Sequence, residues 1–138
     1  MKCETSSGGV VIFNNAILLL KKYNGDWVLP KGRVEENENL SQAAIREVYE
    51  EGSVHAEIVK YIDKISYSFR NNRNSNNELV KKTVHWFLMK TNSMECYPQK
   101  REGFIEARFV HIDRVAELAK YEDEQEVIKK AINEINND

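Results

Sequence analysis

The run Arg46-Glu-Val-Tyr-Glu-Glu51 places three carboxylates, Glu47, Glu50 and Glu51, directly behind an arginine. Clustered carboxylates can hold a hard divalent cation or serve as general acid and base. Taking Leu40 as zero and about 100° per residue, Leu40, Ala43, Ala44 and Val48 form an apolar arc; Glu47 and Glu51 point into it at about 340° and 20°, with Glu50 on its edge at about 280°. Acids one helical turn apart repel, and an unpaired carboxylate carried toward a core is costly. A divalent metal or a held arginine is the natural compensation, and Arg46 alone cannot neutralise all three.

The wider pattern resembles the Nudix box: a Gly, five residues, a Glu, seven residues, then Arg-Glu-apolar-any-Glu-Glu-any-Gly-apolar. Gly32, Glu38, Arg46, Glu47, Val48, Glu50, Glu51 and Val54 stand in register. Ser53 departs from it, standing where the family has Gly, with Gly52 one place early. A glycine commonly ends a helix in the left-handed conformation, so Gly52 is expected to make that turn and leave the carboxylates in place.

The resemblance implies hydrolysis of a phosphoanhydride with Mg²⁺ or Mn²⁺ as cofactor. Glu47, Glu50 and Glu51 are then metal ligands, or ligands plus a water-orienting base, with the roles left open among them, and Gly32 offers its backbone carbonyl. Glycine at that place permits close backbone approach. Glu38 and Arg46 are expected to form a bidentate pair that orients the loop against the helix. The family also uses loop carboxylates outside the box; of Glu102 and Glu106, Glu102 in Lys-Arg-Glu-Gly is favoured as an extra ligand or base.

Lys31, Lys81 and Lys82 are candidates for the outer phosphates and Tyr121 for stacking on a base, while Tyr67, Phe69, His85 and Trp86 fit a packed strand better. Trp27-Val-Leu-Pro-Lys-Gly32, Lys81 to Leu88 and Leu118-Ala-Lys-Tyr121 look like the branch that cleaves dinucleoside polyphosphates and diphosphoinositol phosphates. The expected substrate is a nucleoside diphosphate linked to another moiety, first a dinucleoside polyphosphate such as diadenosine tetraphosphate. Removal of pyrophosphate from an RNA 5′ end and sanitation of oxidised nucleoside triphosphates are the alternatives. A nucleotide-binding module without turnover is the rival from another class.

Composition narrows the field. The chain of 138 residues with 41% hydrophobic residues suits a single domain, 1–138. A formal charge of −2 supplies no basic field for a stable nucleic-acid partner, so the partner is a small-molecule nucleotide or polyphosphate. Cys3 and Cys96 lack metal-ligand spacing and suit free thiols. With no signal peptide or membrane span legible, a cytoplasmic location is expected.

The elements that must position these residues are short strands around two main helices. Gly9 to Phe13 and Ala16 to Lys22 flank Asn14-Asn15 as a hairpin, and Trp27 to Leu29 follows the turn at Asn24-Gly25. Asn39 with Gln42 forms a capping box at the start of the acidic helix. Glu57 to Arg70, Val84 to Met89 and Ala107 to His111 read as strands, with loops over Asn71 to Asn77 and Asn92 to Gly103. Asp113 is expected to cap a short helix through Leu118, and Val127, Ile128, Ala131, Ile132 and Ile135 form the stripe of a final helix. The fold class is α/β, the α/β/α sandwich with a mixed sheet that the resemblance implies.

Overall fold

A computed structural model of the chain describes residues 1–71 and 77–137. Its strands are β1 (Lys2–Phe13), β2 (Ala16–Lys22), β3 (Trp27–Val28), β4 (Lys31–Arg33), β5 (Glu57–Asn71), β6 (Glu78–Lys90) and β7 (Phe104–His111); its helices are α1 (Leu40–Gly52), α2 (Val115–Leu118) and α3 (Glu122–Asn136). The sheet runs β3-β2-β1-β6-β5, with β4 paired to β1 and β7 to β2. β1 and β6 are parallel and the other pairs antiparallel, so the sheet is mixed.

Both faces of the sheet are covered, which explains the unbroken apolar run of β2. Ile17 and Leu19 turn to the face under α2 and α3, where Val84, Trp86, Leu88, Val127, Ile128 and Ala131 complete one core. Leu18 and Leu20 turn to the opposite face, where Ala44 and Val48 of α1 meet Val11, Phe87 and Met89. The molecule is an α/β/α sandwich, as expected.

The expected hairpin forms with Asn14 at φ 51°, and the capping box is present: Asn39 Oδ1 accepts from the Gln42 amide at 2.8 Å while Gln42 Oε1 accepts from the Asn39 amide at 2.9 Å. Ser7 Oγ donates to the Leu40 carbonyl at 2.7 Å and ties the start of α1 to β1.

Several elements differ from expectation. β1 begins at Lys2 rather than Gly9, because its polar first half lies between β6 and β4 with Ser6 and Ser7 fully buried. β4 exists through that pairing, Ser7 facing Gly32 and Gly8 facing Lys31. The cap position of α2 is Arg114, not Asp113, and no side chain bonds there. Gly52 does not make the left-handed turn at the end of α1; it is helical, and Ser53 takes that conformation at φ 59°, ψ 33°. Gly52 is the last residue of the helix and is buried against β2, where a Cβ would stand 3.4 Å from both Leu18 and Leu20, while the Ser53 amide closes the turn on the Tyr49 carbonyl. Most of the loop expected at Asn71 to Asn77 lies outside the described residues.

Candidate active site

α1 carries its acids where the periodicity places them. Glu47 and Glu51 are buried, 8% and 7% exposed, in the same face as Ala43, Ala44 and Val48, and Glu50 lies at the margin. Arg46 is the hub on the loop side. Its Nε and Nη2 grip both oxygens of Glu38 at 2.7 and 2.9 Å, and Nη2 also donates to the Arg33 carbonyl at 2.9 Å. Its Nη1 reaches Glu47 at 2.7 Å and Glu50 at 3.1 Å. One guanidinium therefore ties the loop before α1 to two of the three clustered acids. The Arg46 hydrogen bonds hold the Glu38 carboxyl down at about 2.

Among the described residues no arginine bonds Glu51. Its Oε1 accepts from the Lys31 amide at 3.0 Å, and burial, reinforced by the charge of Glu47, pushes its carboxyl up to about 9. Burial raises Glu47 as well, against the pull of Arg46, with Glu50 and Glu102 adding repulsion. Gly32 packs directly on Glu47: a Cβ there would stand 2.1 Å from the Glu47 carboxyl carbon. Only a glycine lets β4 pass this close to the acids.

Among the described residues no three acidic, histidine or cysteine side chains stand gathered as a finished ligand cluster. The chemistry of the group nevertheless fits a hard cation. All its side-chain donors are oxygens, the two buried carboxylates disfavour each other's charge, and a partial oxygen shell is what Mg²⁺ and Mn²⁺ accept. The backbone at Gly32 lies against the same carboxyl group.

Glu102 ends a short 3-10 turn, Lys100–Glu102, and shares a cavity of about 410 Å³ with Tyr49, Glu50, Ser53, Gln99 and Arg101. Glu106 instead points into an ion pair with Arg108 at 2.6 Å. The segment bearing Glu102 is bound to the end of α1. Gln99 donates its amide to the Glu51 carbonyl at 3.1 Å and Tyr97 to that of Gly52 at 2.9 Å, which satisfies carbonyls a helix end leaves open. Gln99 Nε2 also donates to Ser53 Oγ at 2.6 Å. A left-handed non-glycine residue costs roughly 1–2 kcal/mol, and a net hydrogen bond returns about 0.5–1.5 kcal/mol, so the serine is close to neutral for stability.

Two adjoining cavities lie beside Glu51. Glu51 borders a cavity of about 210 Å³ with Lys22, Leu29, Lys31, Phe104, Tyr121 and Glu124. Lys22, Lys31, Tyr121 and Glu124 also border an adjoining cavity of about 350 Å³ together with Tyr67, Trp86 and Asp123. Lys31 and Tyr121 are thus brought together beside the acids. Lys82 lies next to Lys31, and burial together with that neighbouring cation lowers its pKa. Lys81 is exposed and alternates onto the opposite face of β6 from Lys82, Val84 and Trp86, away from this cleft.

Sequence reasoning missed Lys22 and Glu124 and favoured the core over base stacking for Tyr67 and Phe69. Tyr67 and Phe69, expected in the core, are 43% and 41% exposed, because β5 is the edge strand of the sheet, and Tyr67 walls the larger cavity. Lys22 lies with its Nζ 5.6 Å from the centre of the Tyr121 ring. Glu124 is 4% exposed; its Oε1 accepts from the Leu29 amide at 2.8 Å, and burial pushes its carboxyl up to about 7. A signal for Glu124 was available: with Val127 as zero, Ile128 falls at about 100°, Ala131 at about 40° and Glu124 at about 60°, amid the apolar stripe.

The model of the NUDIX domain matches residues 5–131, and the chain belongs to the Nudix hydrolase family. It is similar to the putative mutator protein MutT4 of Mycobacterium tuberculosis, at 32% identity over 149 aligned positions covering 98% of this chain and 58% of that protein. It is also similar to the asymmetrical bis(5′-nucleosyl)-tetraphosphatase of Sus scrofa, at 30% identity over 121 positions covering 85% and 80%. The chain thus spans little more than half of the first relative and most of the second. In fold it resembles the Ap4A hydrolase of C. elegans in its binary complex, with a TM-score of 0.75 at 19% identity over 98% of this chain and 99% of that one. That likeness establishes shared architecture.

Proposed function

We propose that this protein hydrolyses a phosphoanhydride bond in a nucleoside diphosphate linked to another moiety, with a dinucleoside polyphosphate such as diadenosine tetraphosphate as the substrate. The observation that carries the reading is the continuity of the site: buried Glu51 faces the same space as two lysines, an aromatic ring and a second buried acid. A polyphosphate needs cations along its chain, and a nucleobase needs aromatic walls. The similarity to the tetraphosphatase of Sus scrofa supports the choice of substrate.

Glu47, Glu50, Glu51 and the Gly32 carbonyl would hold Mg²⁺ or Mn²⁺. When bound, the cation supplies positive charge against phosphate oxygens and acidifies water. Arg46 keeps Glu47 and Glu50 turned toward each other and locks the preceding loop through Glu38. The Lys31 amide keeps Glu51 in place, while the lysine side chains of Lys22, Lys31 and Lys82 receive the outer phosphates. Tyr67 and Tyr121 flank the base, and Glu124 offers a carboxyl group to its polar edge. Glu102, across the cavity from Glu50, takes the proton of the attacking water.

The test is a product assay with Mg²⁺ and with Mn²⁺ over diadenosine tetraphosphate, nucleotide sugars, diphosphoinositol phosphates, oxidised nucleoside triphosphates and triphosphorylated RNA. The proposal expects the highest kcat/KM on the dinucleoside polyphosphate and loss of turnover after chelation. Full turnover in chelator, or binding of every nucleotide without hydrolysis, would overturn it. The second result would install the non-catalytic module in its place.

A further inference from the structure

We infer that Ser53 and Gln99 form a latch that positions Glu102 against the carboxylates of α1, so that the serine standing at the family's glycine position is a working part of this site. The inference rests on the role given to Glu102 above. Three observations bear on it.

Ser53 occupies the left-handed position that glycine would fill without strain. Its hydroxyl accepts from Gln99 Nε2 at 2.6 Å, a bond that a glycine there has no atom to make. Gln99 in turn is the node of the acidic loop. Its amide is bound to the Glu51 carbonyl, and its own carbonyl accepts from the amides of Glu102 at 3.0 Å and Phe104 at 3.3 Å. The chain from Ser53 through Gln99 to Glu102 is thus continuous in hydrogen bonds. Both ends of it border one cavity with Glu50. The side chain of Glu102 is itself exposed, so its place depends on how the backbone of its turn is held.

A latch of this kind has a defined failure. Without the hydroxyl, the two backbone bonds to α1 remain, but the Gln99 side chain is released and the 3-10 turn gains freedom. Glu102 then samples positions away from Glu50. Binding of the polyphosphate at Lys22 and Lys31 lies in the other cavity and is untouched.

The experiment compares Ser53→Gly, Ser53→Asn, Gln99→Leu and the double variant Ser53→Gly/Gln99→Leu. Amide hydrogen exchange is followed at Glu102, Gly103 and Phe104 in protein without metal or substrate, and kcat and KM are then measured on the best substrate. Ser53→Gly is expected to melt no lower than the native protein, yet to exchange about tenfold faster in this segment. Its kcat should fall about tenfold with KM within about twofold, since a misplaced group is lost from the transition state rather than from binding. Gln99→Leu should match it, and the double variant should be no worse than either single one. Ser53→Asn tolerates the left-handed conformation and retains an acceptor, so it should restore slow exchange and most of the rate.

Unchanged exchange in Ser53→Gly, additive losses in the double variant, or a glycine variant faster than the native protein would each overturn the latch. A Glu102→Gln protein with native kcat would overturn it by a different route, by removing Glu102 from the proposed chemistry. The exchange data separate the two failures, because they do not depend on turnover.

Discussion

Glu51 is a buried acid held by one amide, with no cation bonded to it among the described residues. Substituting Gln keeps an acceptor for the Lys31 amide and removes the charge that burial and Glu47 oppose. In chelator Glu51→Gln should therefore melt above the native protein at pH 9, where the native carboxyl, raised to about 9, is half ionised. With Mg²⁺ present its kcat should fall by about 10²-fold or more, because an oxygen anion is missing where the cation binds. Scanning calorimetry and steady-state kinetics on the same preparation decide the matter; a variant that melts lower with native turnover would make Glu51 a structural residue. Ser53 makes the complementary point. Its conformation carries local strain and its hydroxyl an offsetting bond, so its worth cannot be read from stability alone.

α1 is positioned at its start by Asn39 and Gln42, and at its end by Ser53 and the loop of Tyr97 and Gln99. Asn39→Ala should cost about 1 kcal/mol of stability, the usual price of a lost N-terminal cap, measured by urea unfolding at constant m-value. This helix was the most legible part of the chain, because cap, apolar stripe and intruding acids all follow one periodicity. Its C-terminal turn was not. Gly52 and Ser53 are adjacent, and the helical period does not say which of them turns; the turn at Ser53 goes with its amide's bond to the Tyr49 carbonyl and its hydroxyl's bond with Gln99, which no periodicity shows. β4 and the first half of β1 were invisible for a related reason. Their polar residues show no alternation, and they are strands only because β6 and β4 supply the partners. The strands β5 and β6 were foreseen, whereas Tyr67 was read as buried because strand alternation does not reveal that β5 is the edge of the sheet.

Across the whole molecule, titration sets opposing trends. Glu38 is held near about 2 against an ordinary 4.5, so its contribution is full above about pH 4.5 and is lost as the pH falls through about 2. Glu51 and Glu124 are raised to about 9 and about 7; their contributions are full below about pH 4.5 and fade as the pH rises through those values. Chelated protein should thus melt highest near about pH 4.5 to 5 and progressively lower toward about pH 9. Added Mg²⁺ should flatten the alkaline decline, and Glu124→Gln should remove the part of it between about pH 4.5 and 7. A melting temperature that stays level from pH 5 to 9 in chelator would show that these two carboxyls ionise freely in the fold.

The parallel pairing of β1 with β6 matches each residue with one 78 positions later, from Lys2 with Val80 to Ile12 with Lys90. Every element of the acidic site except the Glu102 loop lies inside that span, and β4 can pair only once β1 is in place. Closing so long a segment is entropically demanding, and non-local register of this kind sets the pace at which a chain finds its native state. Helical signal should consequently return early after dilution from denaturant, with competence to bind Mn²⁺ returning only in the slower phase that restores the sheet. Time-resolved circular dichroism alongside metal-dependent quenching of tryptophan fluorescence would follow both events. Newly made chains would then pass through a period with α1 formed and its acids still facing water, which screens the repulsion that burial in the finished fold strengthens.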